Sequence, residues 1–380
     1  MRVAIAIDSF KGSLSSSEAG NAVKEAVLKV YDDAHVTVIP LADGGEGTTD
    51  VFMSYYNAES VELTVNGPLM KPVKAKYCII NNTAIMEMAS ASGLTLISPE
   101  ERNPLHTTTF GVGEMIKDAI IRGCRRFIIG IGGSATNDGG LGMLSALGFE
   151  FLDNNKTPVP NGAKGLEELS EIRTDNVIPE LKECVFNIAC DVKNPLCGNN
   201  GCSAVYGPQK GATPDMVEKM DRWMLHFAEI LKEHFPASDM NKEGAGAAGG
   251  LGFAFSSFLN ANLRPGIDII IEESGIEEII KNSDIVITGE GRLDSQTVMG
   301  KAPIGIARLA KKHNKKVIAF AGCVSDDAQI CNEHGVDAYF PILRNITTLA
   351  DALNKDVAYN NLYDTACQVF RLIKTTEFND

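Results

Sequence analysis

The chain contains no run of 18 apolar residues, so it offers no segment suited to cross a bilayer as a helix. Cationic charge is scarce. Against 49 Asp and Glu stand only 35 Lys and Arg, a formal net charge of −14, which disfavours nucleic acid and anionic membranes as partners. A small anionic substrate would therefore need a locally basic pocket. The nine cysteines include no C-x-x-C pair, and Met1–Asp8 has too short an apolar stretch for a signal peptide. Free thiols in a reducing, cytoplasmic setting are expected, rather than disulfides or a zinc site. The six histidines include no i, i+4 pair, and G-x-x-x-x-G-K-[ST], H-E-x-x-H, G-x-S-x-G and H-R-D are all missing. Those absences argue against a P-loop enzyme, a zinc protease, a serine hydrolase and a protein kinase. The single tryptophan, Trp223, falls in a long helical pattern and reads as a packing residue.

What is present is the balance of a globular protein: 380 residues, 44% hydrophobic and 22% charged, enough for two domains. Glycine, 36 residues, is in excess and clustered, which points to loops where backbone approaches something closely. Short β-branched runs alternate with helical patterns at both chain ends, the signature of a parallel α/β sheet. Strands are predicted at Arg2–Ile7, Val36–Pro40, Asp284–Thr288, Lys316–Ala321 and Asp337–Pro341, and Ser15 with Glu18 reads as a capping box. In between, Val61–Val65, Val73–Ile80 and Ala84–Met88 read as a meander, Arg126–Ile131 and Val185–Cys190 as further strands, and Pro214–His234 as a long amphipathic helix. The expected fold is α/β: a doubly wound domain from residues 1–65 plus 270–380, with a second α/β domain, 66–269, inserted and carrying a mixed sheet. The active site is expected in the cleft between them.

Several loops that follow predicted strands carry chemistry. Gly130-Ile-Gly-Gly-Ser-Ala135 matches G-x-G-x-x-A with Glu150 twenty residues on, the spacing of a dinucleotide fingerprint, and continues into Thr136-Asn137-Asp138. Its N–H groups and hydroxyls suit phosphate oxygens, the other reading being a glycine turn for close packing. Gly244–Gly249 matches the same weak pattern after a charged loop. Asp8-Ser9-Phe10-Lys11 follows the first strand, and the capping box leaves Asp8, Ser9 and Lys11 available for a ligand. Asp43 and Glu46 offer oxygens to Mg²⁺ or simply form a turn. Asp191 reads as a general base, a metal ligand or an Asx turn, and Lys210 and Arg264 as anion clamps or solvated cations. Thr288–Thr297 adds Glu290, Arg292 and Asp294.

Taken in order, Asp8–Ser13, Leu41–Thr48, Glu87–Gly93, Asn103–Gly111, Gly130–Gly140, Ala189–Gly198, Val205–Pro214, Gly244–Gly252, Leu263–Asp268 and Thr288–Lys301 resemble the first-class bacterial glycerate kinase family. The resemblance implies a Rossmann-like domain with a distinct inserted α/β domain, and an ATP-dependent kinase acting on D-glycerate, in most members to 2-phosphoglycerate. The chemistry of such a reaction assigns Gly132, Gly133, Ser134, Thr136, Asn137 and Asp138 to phosphate, and Asp43 or Glu290 to Mg²⁺. Asp191 is the first choice as base, with Asp8 and Asp294 as rivals. Lys11 and Arg264 take the substrate carboxylate or the transferring phosphoryl, with Ser9 and Lys210 beside them. An NAD-dependent hydroxy-acid oxidoreductase and a non-enzymatic small-anion sensor are the alternatives. Nothing in the pattern assigns an oligomeric state.

Overall fold

The computed structural model describes residues 1–41 and 47–376. Along the chain its strands are β1 (Arg2–Ile7), β2 (His35–Val38), β3 (Glu59–Asn66), β4 (Pro72–Ile80), β5 (Thr83–Glu87), β6 (Arg126–Gly130), β7 (Glu150–Leu152), β8 (Glu171–Arg173), β9 (Val185–Ala189), β10 (Asn262–Arg264), β11 (Ile285–Leu293), β12 (Lys316–Val324) and β13 (Ala338–Pro341). The chain divides into two compact units, 1–43 with 265–380, and 44–264. The breaks expected from the sequence are 65/66 and 269/270. The first lies earlier because β3 pairs antiparallel with β4 along its whole length, and the Thr48–Tyr56 helix is hydrogen-bonded to Glu87 of β5.

The unit built from the chain ends holds a parallel sheet of order β13-β12-β11-β1-β2. Side chains alternate across it. Val3, Ile5 and Ile7 of β1 enter a core with Val23, Val27, Leu362 and Phe370 of the helices Ser16–Val30 and Lys355–Thr376. Ala4 and Ala6 enter a second core with Ile304, Ile306, Ala307 and Ala310 of the helix Ala302–Lys312. A sheet covered on both faces explains why β1, in its interior, is apolar at every position after Arg2. The capping box is realised: Ser15 Oγ accepts from the Glu18 N–H, and the Glu18 carboxylate accepts from the Ser15 N–H. Counted along the chain, the spatial order is 2-1-3-4-5, the doubly wound order whose direction reverses between its first and third members, here β1 and β11.

The other unit holds a mixed sheet of order β10-β9-β6-β5-β4-β3 and a separate β7-β8 ribbon. β3, β4 and β5 form the predicted antiparallel meander, with Asn81 and Asn82 both at positive φ in the tight turn between β4 and β5. β5, β6, β9 and β10 run parallel. The Pro214–His234 helix begins where Thr213 accepts from the Met216 N–H, and buries Met220, Met224, Phe227 and Leu231, the stripe its periodicity predicts. Trp223 packs against the same core, as expected.

Candidate active site

Doubly wound sheets bind ligands beyond the carboxyl ends of their strands at the point of reversal. At that point in the first unit, the Asp8 N–H donates to the Gly289 carbonyl at 2.9 Å, joining the loop after β1 to β11. Asp8 is buried, Ser9 half-buried and Lys11 exposed, in a tight turn closed by the Phe10–Leu14 bridge. Ser16 Oγ donates to the Ile7 carbonyl at 2.6 Å and accepts from the Leu41 N–H at 2.7 Å, so one hydroxyl ties the end of β1 to the segment after β2. β11 supplies Glu290, whose Oε1 takes the Thr297 hydroxyl at 2.6 Å. Lys301 Nζ stands 3.7 Å from the other Glu290 oxygen and 4.0 Å from Asp294, while Arg292 lies 3.4 Å from Asp294. Burial pushes the Glu290 carboxyl up, against the pull of Thr297, Lys301 and Lys11. Two motifs from opposite ends of the sequence thus meet, with Lys11 acting on Glu290.

In the second unit, Glu87, Gly130, Ala189 and Arg264 are register partners across four parallel strands, all at the strands' carboxyl ends. Asp191 lies two residues beyond Ala189, half-buried, and Arg264 is half-buried as well. Its carbonyl accepts from the Cys190 N–H at 2.9 Å. The loop 130–140 leaves this row directly.

Only Gly132 and Gly133 of that loop are exposed; Ser134 is largely buried, and Thr136, Asn137 and Asp138 are fully so. The last three are expected from the sequence to hold phosphate, but Asn137 and Asp138 make side-chain hydrogen bonds inside the unit. Asp138 accepts from the Thr109 N–H at 2.8 Å, the Thr109 and Thr108 hydroxyls at 2.9 and 3.3 Å, and the Gly140 and Gly142 N–H groups at 3.1 and 3.3 Å. Burial pushes its carboxyl up while those donors pull it down. Asn137 donates to Ser203 at 2.9 Å. These side chains hold the loop from below, and the glycine peptides are its exposed part. Lys210, assigned to substrate, is also buried, with Nζ donating to the Thr136 carbonyl at 2.6 Å. A cation sunk on a backbone oxygen is not presented as a surface anion clamp.

The second glycine run has a different use. In the helix Ala247–Phe258, Ala248, Gly249 and Gly250 are left-handed, and the Gly249 carbonyl accepts from the Gly139 N–H at 3.0 Å. A Cβ on Gly249 would sit 2.1 Å from the Thr136 carbonyl oxygen. The second run is the bed of the first, not another ligand loop. Glu150, the acidic end of the supposed dinucleotide fingerprint, starts β7 in the separate ribbon and accepts from Asn176 at 2.8 Å.

Two residues of this geometry escaped the sequence reading. Glu87 accepts from the Thr49 N–H at 2.8 Å, its hydroxyl at 2.9 Å and the Gly47 N–H at 3.3 Å, capping the Thr48–Tyr56 helix from another element; burial pushes its carboxyl up. Lys301 is the other. Neither has a local signal, since each acquires its partners through folding. Asp43 lies outside the described residues. Among the described residues no three His, Cys, Asp or Glu groups gather around one point. A Mg²⁺ in phosphoryl transfer needs only one or two carboxylates, the remaining ligands being phosphate oxygens and water; Glu290 and Asp294 are the carboxylates this strand end offers, each facing Lys301.

A sequence model of the glycerate kinase family matches residues 3–374. A "Glycerate kinase" of Haemophilus influenzae is 44% identical over 375 residues, 98% of this chain and 99% of its own. A "Glycerate 2-kinase" of Escherichia coli is 44% identical over 378 residues, 99% and 98%. In structure, the chain is similar to a protein of Salmonella typhimurium LT2 assigned as glycerate kinase 2, with a TM-score of 0.88, 42% identity and 99% of both chains covered.

Proposed function

Since this chain belongs to the glycerate kinase family and is a phosphotransferase, we propose that it transfers the terminal phosphoryl of ATP to the 2-hydroxyl of D-glycerate, giving 2-phosphoglycerate and ADP. The observation that carries the assignment of residues is the row Glu87, Gly130, Ala189 and Arg264, which gathers the glycine loop, Asp191 and an arginine at one sheet edge. Family membership sets aside both the hydroxy-acid oxidoreductase and the sensor. The E. coli relative's name supports the 2-hydroxyl as acceptor.

Phosphoryl transfer demands positioning and charge neutralisation more than covalent chemistry. In this reading the exposed peptides of Gly132 and Gly133, with Ser134, hold phosphate oxygens by their N–H groups. Arg264 takes the glycerate carboxylate, whose planar pair of oxygens matches a guanidinium fork. Asp191 accepts the hydroxyl proton as the new O–P bond forms and the bond to the leaving ADP oxygen breaks. Lys11 and Lys301 supply positive charge for the phosphoryl group, and Ser9 and Asp8 follow the end of β1. Glu290, with Asp294, would hold Mg²⁺, which when bound neutralises phosphate charge.

The test is ATP consumption by the purified protein with Mg²⁺ and D-glycerate, followed by phosphorus NMR of the product. Turnover yielding 2-phosphoglycerate is expected. Phosphate at the 3-position would correct the acceptor, and no ATP consumption would refute the reading.

A further inference from the structure

Lys210 closes the single turn Pro208–Lys210, and its side chain runs inward until 1% of the residue remains exposed. Lysines are almost never buried to that degree unless something inside requires them. What it meets is the Thr136 carbonyl, 2.6 Å from Nζ, in the middle of the loop that leaves β6. The same carbonyl lies against the Gly249 backbone, where a Cβ would approach to 2.1 Å. Because a peptide is trans and planar, turning the Thr136 carbonyl toward Lys210 points the Asn137 N–H the opposite way. The neighbouring Thr136 hydroxyl and Asn137 side-chain oxygen have no hydrogen-bond partner among the described residues, so neither shares with Lys210 the work of holding this peptide. Asp138 and Cys202 are the titratable groups whose charges act on it, and burial pulls the ammonium down to about 8.

We propose that Lys210 is a positioning residue of the transfer reaction: from inside the unit it fixes the peptide at Thr136 and so sets the shape in which Gly132, Gly133 and Ser134 meet phosphate. This rests on the kinase reading above. Its role is that of a hydrogen-bond donor to a carbonyl, and a neutral donor of similar reach fills it in part. An anion-binding lysine would behave differently, because a neutral replacement then loses the charge whether or not it can donate.

The experiment compares wild type, Lys210→Gln and Lys210→Met by steady-state kinetics in ATP and in D-glycerate, with near-ultraviolet circular dichroism as a check of folding. Wild-type turnover establishes the kinase reading independently; its absence defeats that reading and leaves the variants to be compared by ATP binding alone. Lys210→Met is expected to lose on the order of 10²-fold in kcat, the scale of an ångström-sized misplacement, with the glycerate KM changed less than about threefold, within ordinary context scatter. Lys210→Gln, whose donor sits one bond shorter, is expected to recover part of that loss. A folded Lys210→Met with near-normal kcat overturns the proposal. So does an equal rise of the glycerate KM in both variants, which would make Lys210 a substrate clamp. Should Lys210→Met fail to fold, Lys210→Gln decides: a folded but equally inactive Gln variant refutes the donor role.

Discussion

The contact between the two glycine runs can be tested with one methyl group, Gly249→Ala. Gly249 sits at φ +68°, where an L-residue costs about 1–2 kcal/mol. The added Cβ would lie 2.1 Å from the Thr136 oxygen, 2.6 Å from the Asn137 Cα and 2.9 Å from the Thr136 carbon, all of them backbone atoms. No side chain can swing away, so the loop or the helix must shift, at about 1–3 kcal/mol for overpacking. Stiffening the unfolded chain returns about 0.4–1 kcal/mol. The net expectation is a loss of roughly 2–4 kcal/mol, with kcat reduced on the order of 10²-fold because the displaced atom belongs to the loop proposed to hold phosphate. Urea unfolding and the ATP assay measure the two quantities separately. Ala248→Gly is the control: Ala248 is also left-handed, at φ +52°, and relieving it should change stability by no more than about 1 kcal/mol. A Gly249→Ala protein within about 0.5 kcal/mol of wild type would refute the packing argument. Lost stability with unchanged kcat would instead remove the loop from catalysis.

Asp191→Asn should lower kcat by about 10²–10⁴ with little change in the ATP KM; near-normal turnover would end its assignment as base. Glu290→Gln carries a pH signature. Burial raises the Glu290 carboxyl above its ordinary 4.5, so the folded state holds its proton to higher pH than the unfolded chain does. Stability from this group therefore falls as pH rises through that window, and the neutral glutamine escapes the loss. The gap in melting temperature should move in favour of Glu290→Gln from pH 4 to pH 7 while activity drops; parallel stability profiles would contradict the direction. All nine cysteines are free, and burial pushes Cys190, Cys202 and Cys331 up to about 11 and Cys78 up to about 12. These four should react slowly with a thiol reagent at pH 8 and promptly after denaturation, because the thiolate is the reactive form. Fast labelling of the native protein at these positions would show that the cores open.

Periodicity and local capping carried much of the fold. Arg2–Ile7 and Pro214–His234 are legible because their side-chain patterns repeat at the period of the element itself, and Ser15 with Glu18 because a capping box spans one turn. The meander was equally readable, since asparagine pairs mark its turn. The loop motifs were found as well, each following a strand. What their residues do was another matter. Glu87 reaches Thr49 across 38 positions, Asp138 reaches Thr109 across 29, and Lys210 reaches Thr136 across 74. No spacing rule relates such pairs, because their meeting depends on which strands lie side by side. For the same reason Thr136, Asn137 and Asp138 read as ligands for phosphate when they are the underside of the loop, and Gly244–Gly249 read as a second binding motif when it is the first one's support. A sequence shows which polar groups a loop possesses. Whether a group faces solvent or the interior is decided only when the sheet is assembled and each buried donor and acceptor has to find a partner.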